Sequence, residues 1–160
     1  MPKKVLSLNT LKKKISDLKK QGHTIAFTNG CFDILHFGHV SYLAKAKKRD
    51  RILILGLNSD ISVKKIKGKN RPIINQYDRA GLLAALACVD FVVLFDEDTP
   101  LNVIKALKPD VLIKGADWKG KGIVGEDDVK AYGGRIEYIT FVANRSTTNV
   151  IDKVLKVYGK

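Results

Sequence analysis

The chain has 160 residues, 45% of them hydrophobic, which suits one soluble domain with a full core. No apolar run reaches the ~20 residues of a membrane span, the opening Met-Pro-Lys-Lys-Val-Leu-Ser-Leu lacks the apolar core of a signal peptide, and two cysteines, Cys31 and Cys88, form neither a CxxC nor a disulfide framework. The expected setting is the cytoplasm, with no membrane partner. The formal net charge of +13 draws anions: nucleic acid is one candidate, a nucleotide with a sugar phosphate another, and a lysine-rich solvated surface accounts for most of the cations equally well. No zinc-finger or RRM motif supports specific nucleic-acid binding.

Leu8, Leu11, Ile15 and Leu18 follow helical spacing, with Asn9 or Thr10 as cap and Gly22 as stop. Strand-like and helix-like segments then alternate. The expected strands are 24–28, 52–57, 91–94, 111–113 and 136–141. The expected helices are 40–48, 76–88, 101–107 and 126–132, with a last one from about Thr148 to Tyr158. Near-continuous apolar strands are buried on both faces, and such alternation predicts an α/β fold with a doubly wound, parallel, five-stranded sheet. Residues 1–160 read as one domain, with 1–22 a helical segment packed on it. The basic, glycine-containing stretch Lys64–Asn70 shows no period and reads as a loop over a site or a plain surface loop.

In open α/β sheets the ligand sits beyond the carboxyl ends of the strands. There the sequence places Asn29-Gly30, Asn58-Ser59-Asp60, Lys114-Gly115-Ala116-Asp117 and Asn144-Arg145-Ser146-Thr147-Thr148. The first group opens the run Thr28-Asn29-Gly30-Cys31-Phe32-Asp33-Ile34-Leu35-His36-Phe37-Gly38-His39. Residues three apart share a helix face, so His36 and His39 can meet one ligand. Gly38 permits close approach to the backbone, and the first helical turn offers free N–H groups to an anion. Zinc is the rival ligand, but no HExxH or cysteine pair accompanies the histidines. His23 has no partner pattern and reads as structural.

Ser146-Thr147-Thr148 precedes the periodic run Val150, Ile151, Val154, Leu155 and Tyr158. It is an N-cap by composition, and its hydroxyls with the helix N–H groups also suit a phosphate. Gly115 lets a flat base approach the backbone, with Asp117 able to read base or ribose. Trp118 stays unassigned. In the basic stretch, Lys67 and Arg71 are the candidates for phosphate contacts from a closing loop.

The strand, glycine turn and His-x-Gly-His run resemble the signature of the nucleotidyltransferase superfamily, with its Rossmann-like fold. From about Ile25 to Val154 the chain resembles more narrowly the adenylyltransferases of ADP-heptose synthesis, in their stand-alone form without a kinase half. The carrying segments are residues 28–44, Leu57–Asp60, Lys67-Gly68, Arg71–Ile73, Leu86–Asp90, Phe95–Pro100, Lys108–Leu112, Lys114–Asp117 and Ser146–Asn149. Three features depart from that pattern: Arg145 where a small or apolar residue is usual, Asn144 where glycine is frequent, and Trp118–Gly122, which resembles glycerol-3-phosphate cytidylyltransferases.

The resemblance implies transfer of AMP from ATP to D-glycero-β-D-manno-heptose 1-phosphate, giving ADP-heptose and pyrophosphate for lipopolysaccharide or other surface glycans. His36, His39 and Lys67 would be catalytic, with no protein metal ligands and Mg²⁺ carried on the ATP phosphates. Thr28, Asn29, Gly30, Cys31, Phe32, Gly38, Lys114, Gly115, Ala116, Asp117, Ser146, Thr147 and Thr148 would bind ATP, and Asp33 and Arg71 the sugar phosphate. A second copy of the chain is a candidate partner. The alternatives are a cytidylyltransferase of the glycerol-3-phosphate type and a non-catalytic nucleotide- or RNA-binding module. Intact His36, Gly38 and His39 weigh against the module.

Overall fold

Five apolar runs pair in parallel at the centre of the molecule: β1 (Thr24–Gly30), β2 (Arg51–Asn58), β3 (Phe91–Phe95), β4 (Val111–Gly115) and β5 (Arg135–Ile139). The computed structural model describes residues 1–142 and 145–159. The strand order is β3-β2-β1-β4-β5. Connections therefore run outward from β1 to one edge, then return to fill the other side from β4. The switch point lies between β1 and β4, and a crevice opens there beyond the strand ends.

Seven α-helices occur among the described residues: α1 (Leu8–Lys20), α2 (Phe37–Ala46), α3 (Asp60–Lys67), α4 (Gln76–Ala85), α5 (Leu101–Leu107), α6 (Glu126–Ala131) and α7 (Thr147–Tyr158). A single 3₁₀ turn covers Ala116–Trp118. Alternate strand residues face opposite sides of a sheet, and both faces are covered. Ala26, Leu53, Leu55 and Leu57 pack with Leu43 of α2 and Leu83 of α4. Ile25, Phe27, Ile54 and Leu112 pack with Leu11 and Ile15 of α1, Ile104 of α5 and Val129 of α6. Val5 bridges to Val92 and shields the β3 edge.

Several boundaries differ from the sequence reading for local reasons. The α1 cap is Ser7 rather than Asn9 or Thr10, because its Oγ accepts from Thr10 N at 3.2 Å. Helix α2 starts at Phe37 with His36 as its N-cap residue, so both histidines belong to its first turn. The stretch expected to be a loop from Lys64 is instead the last turn of α3, which ends at Gly68 with φ +95°. Ser59 caps that helix by accepting from Ser62 N. It escapes notice in the sequence because only Ser62 and Val63 are buried, with Ile61 and Ile66 exposed, so no apolar period marks it. Residue 144 lies outside the described residues.

Candidate active site

At the switch point, β1 delivers Asn29 and Gly30 and β4 delivers Lys114 and Gly115 into one cavity of about 570 Å³. Lys114 Nζ donates to Asn29 Oδ1 across the crevice at 2.6 Å. Burial pushes the Lys114 ammonium down to about 8. A side chain at Gly115 would place Cβ 2.0 Å from Cε2 of Phe141 and 2.4 Å from Oδ1 of Asp117, so only glycine fits. Phe141 in turn stacks on Tyr42, with ring centroids 5.0 Å apart. With Trp118, Ile123 and Val124 these rings form an apolar wall on the β4 side.

Beyond Gly30 the chain turns through Cys31, Phe32 and Asp33. Phe32 takes φ +43°, a left-handed conformation rarely adopted by a bulky residue. Its ring stands 2.8 Å from the place a Cβ on Gly30 would occupy, and packs at 5.0 Å against His39. Burial pushes the Cys31 thiol up, with Lys67 and Arg79 opposing. Cys31 is thus a neutral wall residue.

The histidine rings stack at 3.8 Å, tilted by 21°. Burial, then the neighbouring His36, pushes His39 down to about 4. Burial, then Arg145, lowers His36. Two stacked imidazoliums would repel, so the stacking favours the neutral form of the pair. Their Nδ1 atoms are buried, with no hydrogen-bond partner among the described residues. Each neutral ring has one N–H to give. His39 lines the main cavity, whereas His36 lines an adjoining groove of about 490 Å³ with Arg145, Ser146 and Lys153.

Cationic and N–H donors share the cavity that His39 lines. Lys67, Arg71 and Lys114 line the cavity with Thr147 and Thr148 of the first turn of α7. Ser146 caps that helix by accepting from Asn149 N at 3.0 Å. The groups gathered around the cavity suit a polyanion with a flat, apolar end. No group of three or more His, Cys, Asp or Glu able to hold a metal ion occurs among the described residues. A metal carried by phosphate oxygens and water would need no such group.

Of the sequence candidates, Asn29, Gly30, Cys31, Phe32, Asp33, His39, Lys67, Arg71, Lys114, Gly115, Thr147 and Thr148 share the main cavity. His36 and Ser146 face the groove. Thr28 does not reach either space: it is 1% exposed, and its hydroxyl bonds Tyr42 OH at 2.9 Å. Gly38 is buried in α2, where a Cβ would meet the His36 ring at 3.0 Å. Ala116 and Asp117 form the 3₁₀ turn behind Gly115. The Asp33 carboxylate is filled by the segment opposite: it accepts from Arg71 Nε and from the N–H groups of Ile73 and Ile74.

Sequence reasoning missed the wall residues Tyr42, Phe141, Ile123 and Val124, and Asp98 and Thr99 beyond β3, whereas Asn58 lines the cavity from the strand end where the sequence places it. It also missed Arg79, whose side chain is fully buried. Arg79 donates to the carbonyls of Ile74, Cys31 and Asn58 and to Asp60 Oδ1. A signal was available: Arg79 shares the buried face of α4 with Ala80, Leu83 and Ala84, and a charge on that face needs partners.

No helix among the described residues is long and apolar enough to cross a membrane. Residues 27–151 match the family model described as cytidylyltransferase-like. The chain is 56% identical over 157 residues to the bifunctional protein HldE of Geobacter metallireducens, covering 98% of this chain and 32% of that protein. It is also 56% identical over 152 residues to bifunctional HldE of Campylobacter fetus, covering 95% and 31%. It thus spans about a third of the length of these relatives. A crystal structure of a lipopolysaccharide core biosynthesis protein from Thermoplasma volcanium superposes with a TM-score of 0.58 at 26% identity, over 74% of this chain and 96% of that one. A parallel sheet with its cavity at the switch point, a His-x-Gly-His helix start and a family match across most of the domain converge on one assignment: the chain belongs to the cytidylyltransferase-like family of nucleotidyltransferases.

Proposed function

We propose that this cavity transfers AMP from ATP to D-glycero-β-D-manno-heptose 1-phosphate, releasing pyrophosphate and forming ADP-heptose for lipopolysaccharide or related surface glycans. The observation that carries the reading is the stacked His36–His39 pair, of which His39 shares one cavity with Lys67, Arg71 and Lys114. It stands in a chain 56% identical, along 98% of its length, to a bifunctional HldE.

In this reading a phosphate oxygen of the sugar phosphate attacks the α-phosphorus of ATP in line. The bond to the α-phosphorus forms as the bond to the β-phosphate oxygen breaks. A sugar phosphate is already ionised at pH 7, so the site needs no strong base, and neutral histidines suit it. Catalysis is then positioning and charge stabilisation. His39 gives its N–H to the α-phosphate as charge builds. His36 and the capped start of α7, Ser146 to Thr148, hold the distal phosphates. Lys67 neutralises the triphosphate from the end of α3. Asn29, Gly30 and the Cys31–Phe32 turn line the phosphates. Lys114, Gly115 and the adjoining Ala116–Asp117 turn hold adenosine against Trp118 and Phe141. Mg²⁺, if carried in with the nucleotide, would supply further charge neutralisation. The setting is the cytoplasm, and the basic surface serves anionic small substrates rather than specific nucleic acid.

Pyrophosphate release tests this, with ATP or CTP as donor and heptose 1-phosphate or glycerol 3-phosphate as acceptor. ATP with heptose 1-phosphate is expected to turn over best. CTP with glycerol 3-phosphate as the better pair would move the protein to the cytidylyltransferase reading.

A further inference from the structure

We infer that Asp33 is a positioning residue that does not touch substrate: its buried carboxylate aims Arg71, and Arg71 grips the phosphate of the acceptor sugar. This rests on the adenylyl transfer proposed above. The Asp33 side chain is 1% exposed. Oδ1 accepts from Ile73 N at 2.8 Å and Ile74 N at 2.9 Å, and Oδ2 accepts from Arg71 Nε at 2.5 Å and Ile73 N at 2.9 Å. A carboxylate has about four lone-pair sites. Three donors converge on it, with the Ile73 N–H shared between both oxygens, and at 1% exposure the carboxylate offers no open face to a sugar hydroxyl. Burial alone would raise the Asp33 carboxyl, but the Ile74 and Ile73 N–H groups and Arg71 hold it below the usual carboxylate range.

Arg71 is tied differently. Its bond to Asp33 uses Nε, and among the described residues no protein hydrogen bond leaves its Nη atoms. The residue lines the cavity. A guanidinium fixed at Nε presents its two Nη groups as a preset fork, which matches two phosphate oxygens. Arg79 holds the same segment from the other side by donating to the Ile74 carbonyl. The segment that carries Arg71 is therefore pinned at both ends of one turn.

Topology says which phosphate it meets. β2 and β4 flank β1 on opposite sides. The flat apolar wall, Trp118 and Phe141, belongs to the β4 side, which takes the base. The histidine pair and the start of α7 take the triphosphate. Arg71 follows α3, the helix leaving β2, and stands on the side the nucleotide leaves open.

The experiment compares Arg71→Ala, Arg71→Lys, Asp33→Asn and the Asp33→Asn/Arg71→Ala double variant in steady-state kinetics, with ATP binding followed by calorimetry. One charge-assisted hydrogen-bond pair carries roughly 10- to 100-fold in affinity. Arg71→Ala is expected to raise KM for the sugar phosphate by about that factor and to leave ATP affinity within about twofold. Asp33→Asn should act in the same direction, and the double variant should be little worse than Arg71→Ala alone. Arg71→Lys keeps the charge but loses the fork, so it should not restore the wild-type KM. If Asp33→Asn fails to fold, the two Arg71 variants still decide which substrate Arg71 meets. Multiplying effects in the double variant, or a raised ATP Kd in Arg71→Ala, would overturn the proposal alone. A wild-type protein inert toward every sugar 1-phosphate would overturn the adenylyltransferase reading, and the proposal with it.

Discussion

Replacing Arg79 by methionine keeps the length and apolar stem of the side chain and removes its guanidinium. In the folded protein that group is fully buried and is shared among the carbonyls of Ile74, Cys31 and Asn58 and the carboxylate of Asp60. It therefore joins the end of β1, the end of β2, the start of α3 and the segment before α4. Asp60 is 29% exposed, so water can recover much of its solvation, and the larger penalty falls on the stranded carbonyls. An unsatisfied buried acceptor costs about 1–3 kcal/mol, and removing one partner of a buried pair about 3–5 kcal/mol. These overlap, and we expect a total near 4 kcal/mol. With a urea m-value of about 2 kcal/mol/M, that moves the unfolding midpoint by about 2 M. Arg79→Lys can reach only some of these acceptors and should fall between. Urea titration followed by circular dichroism measures both. An Arg79→Met midpoint within about 0.3 M of wild type, at unchanged m, would refute the reasoning. It would mean that water replaces the guanidinium at little cost.

Four further outcomes follow from the site and its surroundings. His39→Ala should lower kcat by about 10²–10³ while ATP affinity changes little, because the lost donor acts as charge builds. Calorimetry should show weaker ATP binding for His36→Ala. The Lys114 ammonium, held near 8 by burial, should lose its proton as pH rises through that value, so kcat/KM should fall with an apparent pKa near 8. In Lys114→Arg that limb should move beyond the measurable range. The Arg51 hydrogen bond, with Lys48 helping and burial opposing, holds Glu137 down at about 2, against an ordinary carboxyl value of about 4.3. A depressed carboxyl stabilises the fold above its unfolded value, and that support disappears as pH falls from about 4.3 through about 2. Glu137→Gln should therefore cost about 3 kcal/mol at pH 7 and nearly nothing at pH 2, read by urea titration at each pH.

What could be read from the sequence was local. The parallel sheet followed from apolar runs such as Ile52–Leu57, and the histidine pair from a spacing of three beside a glycine turn. What escaped depended on contacts between distant residues. The Asp33 carboxylate meets the N–H groups of Ile73 and Ile74, 40 and 41 residues away. Arg79 reaches Cys31, 48 residues earlier. Thr28 was read with the turn, yet it shares its strand face with the core residue Ala26, while Asn29 points to the other side. Helix α3 is set by the Ser59 cap rather than by a buried stripe, so a search for apolar period passes over it. Phe141 and Tyr42 lie far apart in sequence, and only folding brings them together as the wall beside Gly115.

Charge is arranged here in two ways that pull in opposite directions. Outside, an excess of lysine and arginine gives the chain +13 and draws anions to the surface. At the crevice, burial pushes the groups nearest the proposed chemistry toward neutrality: His39 to about 4 and Lys114 to about 8. A permanently charged imidazolium at His39 would hold the α-phosphate of bound ATP as firmly as the transition state, and uniform binding of that kind lowers KM without raising kcat. A neutral N–H in a desolvated pocket interacts weakly with the ground state, and more strongly as negative charge grows. The stacked neighbour enforces this, because a second proton on the pair would place two cations 3.8 Å apart. In the proposed reaction, attraction would fall to residues such as Lys67, and discrimination between ground and transition state to the histidine pair.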